Sequence, residues 1–107
     1  MFATNHHLAM NTVSRVLKTW HVPFKLTEES QDHAILVVHL EHEKKRREDL
    51  KKVIDLVNQV ARDHQVNVLL APAEDEVTPI TLTSVTTFDP TKHPFALVMF
   101  VRKPFSS

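Results

Sequence analysis

The sequence predicts an α+β fold, a two-layer sandwich of two helices on a mixed or antiparallel sheet of four to five strands. Apolar residues recur at helical spacing in two segments and at alternating or continuous positions in about five shorter ones. The segments follow the order α-β-β-α-β-β-β, which argues for an α+β arrangement. With 107 residues and no repeat, linker or low-complexity tract, residues 1–107 are expected to form a single domain.

The first helix is predicted from an apolar stripe at helical spacing. Its members are Ala9, Val13, Val16, Leu17 and Trp20. Thr4 or Asn5 is suited to cap its first turn through a side-chain oxygen. Pro23 ends it, because a proline disfavours the α region for the residue before it.

Two strands are expected next, joined as a hairpin. Val22, Phe24 and Leu26 alternate with polar residues, which is typical of a half-buried strand. The segment EESQD at 28–32 supplies the turn, and HAILVVHL at 33–40 forms the second strand.

The long helix is predicted over residues 43–65, and three strands follow it. Its core stripe is Leu50, Val53, Ile54, Val57, Val60 and Ala61. The third strand, VNVLLA at 66–71, is expected to stop at Pro72. TPITLTSVTTF at 78–88 and PFALVMFV at 94–101 are predicted as the fourth and fifth strands.

The composition excludes several chemistries. There is no cysteine, which removes disulfides, thiolate nucleophiles and cysteine-type zinc sites. There is no glycine either, so the phosphate-binding Walker loop, the GxGxxG turn and the GxSxG nucleophile elbow are absent in their usual forms. Turns must come from Asn, Asp, Ser and Pro. We expect no cofactor.

Charge and hydropathy favour a cytoplasmic protein without a membrane segment. Lys plus Arg and Asp plus Glu each number 13, so the whole chain has no bias toward nucleic acid or acidic partners. No apolar run approaches the roughly 20 residues that span a bilayer. No signal peptide is visible, and the lack of cysteine favours a cytosolic setting.

A surplus of apolar residues on the predicted sheet indicates an interaction surface. In HAILVVHL and in PFALVMFV both alternating sets are apolar, so both sheet faces need cover. If both helices pack on one face, the other exposes an apolar patch suited to a second copy or another protein. The residues chosen for this surface are Ile35, Val37, Val98 and Phe100. If the helices lie on opposite faces, no such patch remains.

A basic segment at the start of the long helix offers a second interpretation, a nucleic-acid-binding module. Its residues are Lys44, Lys45, Arg46, Arg47, Lys51 and Lys52. Acidic residues lie four positions before three of them, as Glu41, Glu43 and Glu48, and reduce the net charge of residues 41–52 to about +2. Because carboxylates weaken phosphate binding, we favour a solvated helical face.

A metal-assisted enzyme is the third interpretation, with a site at the acidic loop of Glu74, Asp75 and Glu76 and nearby histidines. The eight histidines include no HExxH spacing. His39 and His42 would point to opposite faces of a strand. Ser14, Ser30 and Ser84 are the available hydroxyls, but the sequence positions no base or oxyanion hole beside them. We therefore expect no catalytic residue and no metal ligand.

Overall fold

The computed structural model describes residues 5–73 and 92–102. The elements there are α1 (Asn5–Thr19), β1 (Phe24–Glu29), β2 (His33–His39), α2 (Arg46–Asp63), β3 (Asn67–Ala73) and β4 (Phe95–Val101), with a 3₁₀ turn at Glu43–Lys45 before α2. The predicted α+β sandwich is confirmed. Its described sheet has four antiparallel strands in the order β1-β2-β4-β3. The predicted strand over 78–88 lies outside the described residues.

The centre of the sheet is the pairing of β2 with β4. The two strands pair without a bulge from His33↔Val101 to His39↔Phe95. Leu36 therefore lies opposite Val98, and both point to the same face of the sheet. This register determines which alternating set of side chains in each strand faces the helices.

Both helices pack on one face of the sheet and share a single core. α1 contacts β2 and β4, while α2 contacts β3 and β4. One cluster of buried residues joins Val13 and Leu17 of α1 and Val53 and Val57 of α2 to the sheet. The sheet contributes Ala34, Leu36, Val38, Leu70, Ala96, Val98 and Phe100 to that cluster. Of the two arrangements weighed from the sequence, helices on one face is the one observed.

α1 ends in a Schellman motif without glycine. The amide of Val22 donates to the carbonyl of Leu17 at 2.9 Å, and the amide of His21 donates to Lys18 at 3.1 Å. This closure requires the left-handed conformation at His21, whose φ is 59°. A position where glycine is preferred is therefore held by a residue with a Cβ.

α2 ends in the same way. Val66 donates to the carbonyl of Ala61 at 2.9 Å and Gln65 to that of Arg62 at 3.2 Å, with φ of 56° at Gln65. Val66 is buried after the turn and anchors the start of β3. The sequence indicates a segment end at His21, beside Pro23, but it does not indicate the left-handed conformation of His21 or of Gln65.

β3 and β1 both depart from the strand pattern that the sequence indicates. β3 continues through Pro72 to Ala73, two residues beyond the predicted end. Proline is tolerated because β3 has a described neighbour, β4, on one side only. On the opposite edge, the pairing of β1 with β2 shifts between Leu26 and Glu28, which makes Thr27 a bulge.

The connection from β2 to α2 is held by an arginine of the basic segment. The Nε of Arg46 donates to the carbonyl of Leu40 at 2.9 Å, and the Leu40 side chain is buried. The predicted single helix from residue 43 therefore begins as a 3₁₀ turn and becomes α-helical at Arg46. Neither described helix has the length and apolar character needed to cross a bilayer.

Phe100→Ala is expected to lower the free energy of unfolding by about 3–5 kcal/mol, because the ring is fully buried under the helices. Met99→Ala, on the other face and half-buried, should cost only roughly 1–2 kcal/mol. Urea unfolding followed by circular dichroism measures both. Equal losses would contradict the assignment of the two neighbours to opposite faces.

His21→Gly and Gln65→Gly should each stabilise the fold by about 0.5–1 kcal/mol, because glycine adopts positive φ without a Cβ clash. Both side chains are exposed, so little packing is lost. The matched control is Lys18→Gly in the last turn of α1, which should destabilise by about 1 kcal/mol. Thermal unfolding midpoints that fall for all three variants would argue against the left-handed positions.

Candidate interaction surface

The sheet face opposite the helices carries a second, smaller apolar cluster. Val37, Ala71 and Leu97 form its centre, and Ile35, Phe95 and Met99 pack against them. These residues fall into rows across the strands. One row is Val37↔Leu97↔Ala71, and the next is Ile35↔Met99↔Leu69. We call this side the helix-free face, since neither α1 nor α2 contributes to its cluster.

The four residues chosen from the sequence for a partner surface do not share one face. Ile35 and Val37 belong to the helix-free face. Val98 and Phe100 lie opposite Leu36 and Ala34 and are fully buried beneath the helices. Their grouping is corrected by the register: the β4 residues beside Ile35 and Val37 are Met99 and Leu97. A charge at Val98 or Phe100 would disrupt the core, not a partner contact.

Only part of the helix-free face is accessible. Val37 is 2% exposed, and Leu97 and Ala71 are also buried. Ile35, Met99 and Val101 are half-buried, and Leu69 at the β3 edge is 43% exposed. The accessible apolar strip is therefore the row of Ile35, Met99 and Leu69 with the neighbouring Val101.

Polar groups border this strip on the β1 side and at the strand ends. Lys25 pairs with Val37 and Glu28 with Ile35, so β1 places two charged residues beside the apolar rows. The ring of His39 stacks on Phe95 with centroids 4.6 Å apart. An apolar centre with a polar rim is the usual anatomy of a protein–protein contact.

The basic segment is divided between structure and surface. Lys44, Lys45, Lys51 and Lys52 are exposed and make no ion pair within residues 5–73 and 92–102. The predicted pairs Glu41–Lys45 and Glu48–Lys52 are thus not formed. Arg46 is half-buried, and its Nε already donates to the carbonyl of Leu40. It is therefore less available to a ligand than the four exposed lysines.

Three histidines converge on the turn between β1 and β2. His6 of α1 is buried, and its Nε2 lies 2.8 Å from the carbonyl oxygen of Ser30. His7 forms an ion pair with Glu29. These contacts hold the first turn of α1 against the hairpin of β1 and β2; His6 and Ser30 are 24 residues apart in sequence.

The third histidine of this turn forms an arrangement that the sequence did not indicate. His33 Nδ1 lies 3.3 Å from Ser30 Oγ, and its Nε2 lies 3.1 Å from Glu28 Oε1. A hydroxyl, an imidazole and a carboxylate in series are the components of a catalytic triad. However, Ser30 is exposed, and its Oγ accepts the amides of Asp32 and His33 as part of the turn.

Nucleophilic catalysis also needs a water-excluding cleft and donors for an oxyanion. A cleft lies between α2 and β3, and Ser30 does not line it. We therefore assign Ser30 to turn formation. Within the residues that the structure describes, no three His, Asp or Glu side chains are grouped to hold a metal ion. The acidic loop at Glu74–Glu76 and Ser84 lie outside those residues.

His64 is half-buried at the C-terminal end of α2, where it is the C-cap residue. Its Nε2 lies 3.4 Å from Thr12 Oγ1 of α1, so it joins the two helices. His39 ends β2, and the exposed His42 precedes the 3₁₀ turn.

Comparison with known proteins finds no family whose pattern the chain matches and no characterised protein with significant similarity.

Proposed function

We propose that this protein works by association rather than by catalysis, as a small cytoplasmic binding or assembly module. Its contact surface is the accessible apolar strip of Ile35, Met99, Leu69 and Val101. The occupant is a second copy of the chain or another protein. The observation that carries the proposal is the exposed end of an apolar sheet face that lies opposite both described helices.

The shape and chemistry of the strip support this function. Ile35, Met99 and Leu69 are cross-strand neighbours, and Val101 follows Met99 on the same face of β4, so the side chains form one continuous patch. Leu69, the most exposed of them, stands on β3, an edge strand of the described sheet, where a partner meets it without displacing the core. The placement in the cytoplasm belongs to the same proposal and follows from the cysteine-free composition.

A photoreactive side chain at position 69 is expected to form one discrete cross-linked product in cells that express the protein. The matched control is position 8, because Leu8 of α1 is 41% exposed against 43% for Leu69 and lies off the helix-free face. Met99→Lys in the same chain should abolish the product while its long aliphatic stem preserves the fold.

The mass of the product distinguishes a second copy from another protein. Equal labelling from positions 8 and 69 would contradict the proposal. A product that persists with Met99→Lys would contradict the accessible apolar strip as the contact surface.

A nucleic-acid-binding module is the second candidate, favoured by the four exposed lysines without ion pairs in the described chain. Because Arg46 holds the Leu40 carbonyl, the informative variant is Lys51→Glu with Lys52→Glu. Binding to single- or double-stranded DNA and RNA should fall steeply with salt, and this variant should reduce the logarithmic salt slope by about 2. No binding at low salt removes this candidate.

A further inference from the structure

The outer edge of β3 presents backbone groups in a defined pattern. The amide of Arg102 donates to Asp32, and the amide of Leu40 donates to the carbonyl of Pro94, so even-numbered residues along β4 bond toward β2. Successive residues of a strand bond to alternate sides, so the odd-numbered residues of β4 bond to β3. Their partners in β3 include Leu69, opposite Met99. The even-numbered residues of β3 therefore turn their backbone outward.

Those outward residues are Val68, Leu70 and Pro72. Pro72 lies at a position whose backbone nitrogen points away from β4. A proline is tolerated there because no hydrogen bond of the described sheet is lost. Val68 and Leu70 offer an amide and a carbonyl each, and no residue within 5–73 or 92–102 bonds to them. Among the described residues this apolar edge is unpaired, and an unpaired strand edge is a template for another strand.

The flank of α2 above this edge is also open. A cleft of about 780 Å³ separates the two elements. Its floor is apolar, from Ala61, Val66 and Val68, and its α2 wall carries Asp55, Asn58, Gln59 and Arg62. Asp55 makes no ion pair in the described chain, and Arg62 donates only to Gln59, at 3.4 Å.

The charges on this flank of α2 are complementary to those on the same flank of a second copy. Asp55 and Arg62 lie seven residues apart, two turns along one side of α2. Two copies of α2 in antiparallel contact, centred between Asn58 and Gln59, place each Asp55 opposite the partner copy's arginine of the same pair. The central amides then face each other and can exchange hydrogen bonds.

Pairing along the strand and pairing along the helix can share one two-fold axis, since Asn58, Gln59 and Val68 line the same cleft. From the end of α2 at Asp63 back to the centre of the Asp55–Arg62 pair, near residue 58.5, is about 7 Å, at 1.5 Å per residue. From the start of β3 at Asn67, the same distance at about 3.3 Å per residue reaches Leu69. An antiparallel pair of β3 strands centred on Leu69 sets Val68 opposite Leu70 of the second copy, which matches their outward donors and acceptors.

The distance between the two α2 helices is also compatible with pairing at β3. Paired strands lie about 4.8 Å apart. α2 contacts both β3 and β4, so its axis lies inward from the edge. Two copies paired at β3 bring their α2 axes to roughly 10 Å, within the ordinary range for packed helices.

We propose that a second copy of this chain pairs antiparallel along β3, with the two α2 helices meeting through reciprocal Asp55–Arg62 contacts. The resulting eight-stranded sheet joins two helix-free faces into one surface, with a Leu69 from each copy at its middle. This inference rests on the proposed function of association and names the partner and the pairing edge.

The test uses the full chain and exchanges charges on α2. Light scattering and sedimentation should give a dimer for the native protein. Asp55→Arg and Arg62→Asp should each raise the dimer dissociation constant at least tenfold, because each sets like charges together. An equimolar mixture of the two variants should restore a dimer, now containing one of each. Lys52→Asp, an equal charge change at another exposed site on α2, should leave the constant unchanged.

Amide hydrogen exchange gives a second readout at the edge itself. Exchange at Val68 and Leu70 should slow as protein concentration rises through the dissociation constant. Leu69, already bonded to β4, should show no such dependence.

A monomer at all concentrations would overturn the inference, as would a dimer that tolerates both charge variants. A dimer that Met99→Lys dissociates but Asp55→Arg does not would also overturn it, while supporting the helix-free face as the contact. A dimer that depends on the charges of Asp55 and Arg62, with cross-links only between the two β3 strands, would support pairing at the β3 edge. It would contradict the accessible apolar strip as the contact surface.

Discussion

The antiparallel register of β2 against β4 is the constraint on which the rest of the structure depends. Both strands are apolar on both faces, so hydrophobicity alone does not orient them. Pairing Leu36 with Val98 commits one set of side chains to the helices and the other to the helix-free face. A shift of one residue would exchange the buried Phe100 for Met99 and move the apolar strip to different residues. The core and the candidate surface are therefore two results of one alignment.

The helices explain why much of this fold is readable from the sequence. In α2 the predicted stripe is close to the observed one, with Leu50, Val53 and Val57 buried, because an amphipathic helix has a single face that can enter a core. In α1 the prediction is less accurate, since Met10 and His6 are buried and Trp20 is exposed. A short helix with polar residues on its inner side gives a weaker pattern, and the contact of His6 with Ser30 depends on a hairpin distant in sequence.

The surface was less predictable, for physical reasons. Ile35 and Val37 share the helix-free face, although Val37 is buried there, whereas Val98 and Phe100 lie on the opposite face. The sequence does not separate the two sets, because a strand that is apolar on both sides carries no phase information. The continuation of β3 through Pro72 depends on which way that residue faces, which only the strand order reveals. Likewise, Ser30, His33 and Glu28 approach one another through the geometry of a turn, not through any motif spacing.

The bulge at Thr27 makes the two margins of the sheet unequal. On that side the strand is irregular and ends in the exposed pair Glu28 and Glu29, so a neighbouring chain finds neither a regular ladder nor a neutral surface. A sheet with two receptive margins would add molecules without limit and grow into a ribbon. The dimer proposed above pairs at β3 alone, so with the other margin irregular and charged its strand addition would end at two copies instead of growing into a fibre.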